Sequence, residues 1–174
     1  MDSPKDRPGK PRLVTLPPTL ESLGAVVHFL AVDETFGAKP LAGVVLEVMI
    51  QLKNKWHLCA IRENTVVGYC GWVFTTTERA EKYSRGEPIP KTNVSGEAPD
   101  AFVLTLVRIP ERELVLPLIR AIRSVGPGKR VFFRRDYFDP NKPKRSSSVL
   151  NVMASGNADT ANQEAPLTVK ITPP

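Results

Sequence analysis

The sequence predicts an α+β layered domain, a mixed β-sheet with helices on its faces. Three observations point there. Two segments, around residues 20–31 and 41–52, carry apolar residues at helical spacing. The stretch Trp56 to Phe74 reads as two strands around a tight turn. A strand, a helix and a basic strand follow it. Strands that follow one another in the chain, interleaved with amphipathic helices, pack as layers around one core.

Residues 1–18 hold several prolines, mixed charges and few apolar side chains, so a mobile arm is expected. Leu13, Val14 and Leu16 leave open a short strand or docking on the body. Thr19 suits a helix N-cap, and Glu21 in the first turn complements the helix dipole. Leu20, Leu23, Val27, Leu30 and Ala31 recur at helical spacing, widened by Val26. Asp33 to Gly37 is expected to end that helix. Pro40 suits the start of a second helix, whose stripe is Leu41, Val44, Val45, Val48, Met49 and Leu52.

The hairpin comes next. His57, Cys59 and Ile61 alternate with Leu58, Ala60 and Arg62, and Glu63-Asn64 make the turn. Val66 to Phe74 is almost continuously apolar, as in a central strand buried on both faces. Gly68 and Gly71 within it suggest a bulge or a close approach to the backbone. Thr75, Thr76 and Thr77 precede a short helix, Glu78 to Tyr83, and residues 84–100 read as a long loop. Ala101 to Ile109 is a strand. A helix through Ser124 carries Leu114, Leu118, Ala121, Ile122 and Val125 on one stripe. Pro117 within it implies a kink or a later start. Gly126-Pro127-Gly128 stops it, and Lys129 to Arg135 forms a basic, aromatic strand. Pro140, Pro143 and the run Lys142 to Ser148 read as loop, and residues 151–174 as a flexible tail. The domain is therefore placed at 19–150.

The chain has 174 residues, 41% of them hydrophobic, enough for one domain with a core. Its net charge of +6 favours an acidic partner: a nucleic acid, an anionic membrane surface or an acidic protein. The N-terminal segment is charged and proline-rich, with no secretory pattern, and the apolar runs are short of a membrane span. A soluble, cytoplasmic protein is expected. Its two cysteines, Cys59 and Cys70, read as reduced and buried. His28 and His57 do not stand at ligand spacing with them, so no metal site is expected.

Little in the residues marks a catalytic centre. His28 and His57 titrate near neutral pH and could serve as acid or base, Asp33-Glu34 could orient one, and His28, Asp33 and Tyr69 are the candidates for proton transfer. Cys70 lies in apolar surroundings that blunt a thiol. No phosphate-cradling motif is present. Lys129, Arg130, Arg134 and Arg135, with Phe132 and Phe133 between them, suit an acidic carrier protein. A nucleic acid ranks lower, because alternation along the strand splits the aromatics between its faces.

Leu23-Gly24, Pro40, the hairpin, Val67-Gly68-Tyr69-Cys70-Gly71-Trp72 and Glu81-Lys82-Tyr83 resemble the lysine acyltransferases that activate RTX, hemolysin-type toxins. The resemblance spans about residues 20–150 and implies a fold similar to GNAT-type acyltransferases. It implies transfer of a fatty acyl chain from acyl carrier protein to internal lysines of a protoxin, with acyl-acyl carrier protein as donor and no bound cofactor. A homodimer is implied by analogy. Phe36, Tyr69, Cys70 and Trp72 would wall the acyl site. The sequence departs from the family at two positions. Phe36 stands where the family has a His, and Leu104 or Leu106 where it has an Asp. The residue that would replace the family base is left open. The alternative is a non-catalytic module that binds the carrier or the client.

Overall fold

The computed structural model describes residues 9–88, 98–135 and 145–151. These form one six-stranded sheet whose strands lie side by side in chain order. The strands are β1 (Arg12–Val14), β2 (His57–Arg62), β3 (Thr65–Thr75), β4 (Ala101–Arg108), β5 (Arg130–Arg135) and β6 (Arg145–Leu150). The helices are α1 (Leu20–Ala31), α2 (Glu34–Gly37), α3 (Leu41–Asn54), α4 (Thr77–Ser84) and α5 (Arg112–Val125). All neighbouring strands are antiparallel except β4 and β5, which are parallel and joined through α5. The sheet is mixed and helices cover both faces, so the α+β class expected from the sequence is the one observed.

Helices α1 and α3 cover one face of the sheet. Their core joins Val26, Leu30, Val48 and Leu52 to Cys59, Tyr69 and Leu106. Helix α5 covers the other, where Leu114, Leu118 and Ile122 meet Ala60, Cys70, Trp72 and Phe102. Helix α4 packs Ala80 and Tyr83 on Ala101, Val103 and Phe132. Burial of these apolar side chains is the main force holding the layers together. Strand β3 is buried on both faces, as its apolar run requires.

Several local expectations are met. The Thr19 hydroxyl accepts the Ser22 N–H at 3.2 Å and caps α1. Glu63 and Asn64 take positive φ of 48° and 64°, which the hairpin turn needs. Register shifts lie beside Gly68 and Gly71. Of the two readings left open near the N-terminus, the short strand is observed: β1 pairs with β2 inside the stretch read as an arm.

Other expectations are corrected. Asp33 to Gly37 does not simply end α1. Asp33 starts a separate short helix, its carboxylate accepting the Thr35 and Phe36 N–H groups at 3.0 and 3.3 Å. The stripe of α3 is rotated: Val44, Val48, Gln51 and Leu52 are buried, whereas Leu41 and Met49 are exposed. Helix α5 includes Pro117 and still starts at Arg112. Residues 145–148, read as loop, belong to β6, which pairs with β5 along its length. A serine run lacks the β-branched and aromatic residues that mark a strand, and the backbone ladder with β5 compensates. Asn151, one residue beyond β6, is buried. Its amide donates to the Arg123 and Gly126 carbonyls at 2.6 and 2.8 Å, closing the end of α5. Residues 89–97 of the expected long loop, residues 136–144 and the expected tail at 152–174 lie outside the described residues, as do residues 1–8.

Candidate functional site

Strands β4 and β5 pair only from Ala101↔Arg130 to Leu104↔Phe133. Both run on, β4 to Arg108 and β5 to Arg135, without pairing further with each other. A parallel pair that parts in this way leaves N–H and C=O groups of β4 unclaimed by its neighbour. At the same point β4 carries a bulge. Gly71 of β3 lies opposite Leu106 and Trp72 opposite Leu104, so Thr105 is the extra residue.

The bulge re-aims a side chain. Leu104 packs on the α5 face and Leu106 with the α1–α3 core, although strict alternation would put residues two apart on one face. Thr105 faces α3 by alternation from Leu104, its hydroxyl meeting Gln51, and the extra residue turns Leu106 onto that same face. Gln51 Nε2 donates to Thr105 Oγ1 at 2.9 Å and to Glu47 Oε1 at 3.2 Å. Tyr69 donates its hydroxyl to Gln51 Oε1 at 2.6 Å. Gln51 thus accepts from Tyr69 and bridges the Thr105 hydroxyl to the Glu47 carboxylate. Burial pushes the Glu47 carboxyl above its ordinary range, opposed by the Thr105 hydroxyl, the Lys39 charge and the Gln51 amide.

Glu47, Gln51 and Thr105 do not stand out in the sequence. The readable signal was the i, i+4 spacing of Glu47 and Gln51 beside Val44, Val48 and Leu52, which puts both on the buried side of α3. No sequence pattern marks the packing of α3 across β4 that brings Thr105 to them. Of the three consecutive residues Leu104, Thr105 and Leu106, it is the threonine that meets this network.

The residues singled out from the sequence fall in different places. His28 is exposed on α1. Asp33 caps α2, and its other oxygen lies 3.4 Å from Arg108 Nε. Arg108 also donates to the Phe29 carbonyl at 2.6 Å and stacks on the Phe29 ring. Tyr69 is wholly buried, and burial pushes its hydroxyl upward, so it is a neutral donor. His57 is a structural residue. Its Nε2 accepts the Leu16 N–H at 2.9 Å, so Nδ1 carries the proton donated to the Gln51 carbonyl at 3.1 Å.

The four residues expected to wall one acyl site are not brought together. Phe36 and Tyr69 belong to the α1–α3 side, and Cys70 and Trp72 to the α5 side, because β3 alternates between its faces. Burial pushes the Cys70 thiol up to about 12, which removes it as a nucleophile at neutral pH. Phe36 packs against the first core with Lys39 Nζ 4.9 Å from its ring centre.

The basic cluster is split along β5. Lys129 precedes the strand and donates to the Pro99 carbonyl; Arg130 beside it is exposed. Arg134 and Arg135 lie at the other end, about 13 Å away at strand rise. Only that end adjoins the place where β4 and β5 part. Arg134 donates to the Tyr83 carbonyl at 2.9 Å and stacks on its ring. Two large apolar side chains flank the parting on the α5 face: Val107 and Phe133, 38% and 39% exposed.

No family model and no curated protein matches this chain. Among solved structures, it is similar to a GNAT-family acetyltransferase from Streptococcus agalactiae 2603. The identity is 7%, the TM-score 0.49, and the match covers 76% of this chain and 81% of the other. It is also similar to an N-acetyltransferase from Staphylococcus aureus Mu50, at 13% identity and a TM-score of 0.42, over 72% of this chain and 81% of that one. The fold class stands on the sheet order and register, and the likeness names no substrate. Among the described residues no helix is long and apolar enough to cross a membrane.

Proposed function

We propose that this chain is an acyltransferase that moves a fatty acyl group from acyl carrier protein to lysine side chains of a client protein of the RTX-protoxin kind. The observation that carries the reading is the parting of β4 and β5 at the Thr105 bulge. An acyl group reaches its carrier's surface on an extended arm that bears amides. Such an arm has the length and hydrogen-bonding groups to lie along an open strand edge as an added strand does. With the thioester in the gap, the acyl tail would meet Val107 and Phe133 on one face. The amine would approach from the other face, where Thr105 and Glu47 lie. Holding the two reactants in line supplies much of the rate in such a transfer. The chain's +6 charge favours an acidic carrier, and Arg134 stands at the end of β5 next to the gap.

The test is to incubate the chain with acyl-loaded carrier protein and a lysine-rich client, and to look by mass spectrometry for acyl mass on lysine. Transfer supports the reading. Tight carrier binding with no transfer to any client overturns it in favour of a binding module. Arg134→Glu is expected to weaken carrier binding more than Arg130→Glu does. The reverse order would move the docking face to the other end of the strand.

A further inference from the structure

We propose that Glu47 is the proton acceptor for the attacking amine, held in place by Gln51 and Thr105. The inference rests on the acyl-transfer reading above and assigns a role to a residue outside the two positions, Phe36 and Leu104 or Leu106, at which the base was sought. Three observations carry it. The direction of the network is the first. Tyr69 donates to Gln51, and Gln51 donates to both Thr105 and Glu47. The Tyr69 hydroxyl thus fixes the amide that orients the Glu47 carboxylate. A network that served only to satisfy a buried Gln51 needs no carboxylate at its end.

Position is the second. Thr105 is the bulged residue where β4 leaves β5, and the Gln51 amide bridges it to the Glu47 carboxylate, which sets that carboxylate beside the gap. The third is that Glu47 is only half-buried, whereas Gln51 and Tyr69 are closed off from solvent. Glu47 is the one member of the network not closed off from solvent. The groups facing it are known. Lys39, in the turn before α3, is the charged one. Tyr69 of β3 is titratable but stays neutral, and Thr105 and Gln51 are uncharged donors. Burial raises the carboxyl toward the range where a base works near neutral pH, and Lys39 and the two donors keep it ionisable.

The step balances as follows. The neutral amine attacks the thioester carbonyl carbon, and a C–N bond forms. The Glu47 carboxylate takes one N–H proton from the resulting ammonium centre. The C–S bond then breaks, and Glu47 returns that proton to the departing thiolate, which leaves as a thiol. No oxidant, metal or further reactant is needed.

Glu47→Gln keeps the shape and an acceptor oxygen but removes the base. The expected result is a fall in kcat of roughly 10²- to 10⁴-fold with KM for carrier and client little changed. The limb of the wild-type kcat/KM profile that falls on acidification should vanish with it. Thr105→Val leaves the carboxylate but takes away a donor that stabilises its charge, so that limb should move to higher pH. Added formate should restore part of the rate to Glu47→Ala. If the wild type transfers acyl groups and Glu47→Gln matches it, or slows with an unchanged pH profile, the role assigned to Glu47 is wrong and the acyltransferase reading stands. A Thr105→Val profile that overlays the wild type overturns the role even if Glu47→Gln fails to fold. If the wild type itself transfers to no amine, both fall together.

Discussion

The side-chain amide of Gln51 fills the space that a β-carbon on Gly71 would need. Gln51 is held there from both ends, by the Tyr69 hydroxyl on its oxygen and by Thr105 and Glu47 on its nitrogen. The glycine in the Gly-Tyr-Cys-Gly-Trp cluster is therefore a requirement of the helix that packs on it. Gly71→Ala should push the amide out and leave buried polar groups unpaired, costing about 1–3 kcal/mol. A urea titration of the variant checks this. An unchanged midpoint would mean that Gln51 has another comfortable position.

Tyr69→Phe removes the donor to Gln51 Oε1 and leaves that oxygen buried. The expected destabilisation is again about 1–3 kcal/mol. Tyr69→Phe and Gln51→Met together should cost less than the sum of the two, because each alone strands its partner. Additive costs in a double-mutant cycle would argue that the 2.6 Å contact contributes little.

His57 predicts a pH dependence. Burial lowers its pKa below the ordinary 6.5, against the raising effect of the Gln51 carbonyl. The unfolded chain then binds a proton that the folded chain resists. Stability from this group is fully present above the unfolded pKa and is lost as pH falls from about 6.5 toward the folded value. Glu47, raised from its ordinary 4.5, acts in the opposite direction over a window that starts lower. Urea midpoints measured across acid and neutral pH should fall on acidification in the wild type. The fall should be smaller in His57→Gln, and equal slopes in the two proteins would contradict the assignment.

Both cysteines should be silent in the native chain. Cys59 and Cys70 are wholly buried and their thiols are pushed upward, Cys70 to about 12. A thiol reagent at neutral pH is expected to label neither until denaturant is added, and then both. Acyl transfer should survive such treatment. Rapid native labelling of Cys70 with loss of activity would return it to consideration as a nucleophile.

Asn151→Ala should loosen the end of α5. The amide satisfies two carbonyls there, and its backbone N–H and C=O bond Lys129 and Gly128. A loss of about 1–3 kcal/mol is expected. Hydrogen exchange should show the effect first in the last turn of α5 and in β6. Uniform protection there would mean that β6 alone holds that end.

Much of the fold was legible because it is local. Val66 to Phe74 is apolar at every second residue and between, so it had to be central. Glu63-Asn64 sits between two strand patterns, and Pro40 and Thr19 mark helix starts. Strand β6 was not legible, because Ser146, Ser147 and Ser148 carry no strand preference and pair only because β5 offers an edge. The site was less legible still. Glu47 and Gln51 stand outside the apolar stripe through Leu41 and Met49, which draws the expected buried face away from them. Phe36, Tyr69, Cys70 and Trp72 looked like one wall because they share a motif or a family position, and alternation along β3 separates them.

Composition and periodicity determined the class of this protein: two amphipathic helices, a hairpin, then a strand, a helix and a strand, with a surplus of positive charge. They did so because helical and strand periods are properties of neighbouring residues. The tertiary structure decided where β4 leaves β5, that Thr105 is the residue squeezed out at that point, and that a carboxylate on α3 waits beside it. Those facts depend on the register between strands and on a helix packed across them. Gln51 and Thr105 are 54 residues apart in the chain, and no local pattern reports a hydrogen bond across that distance.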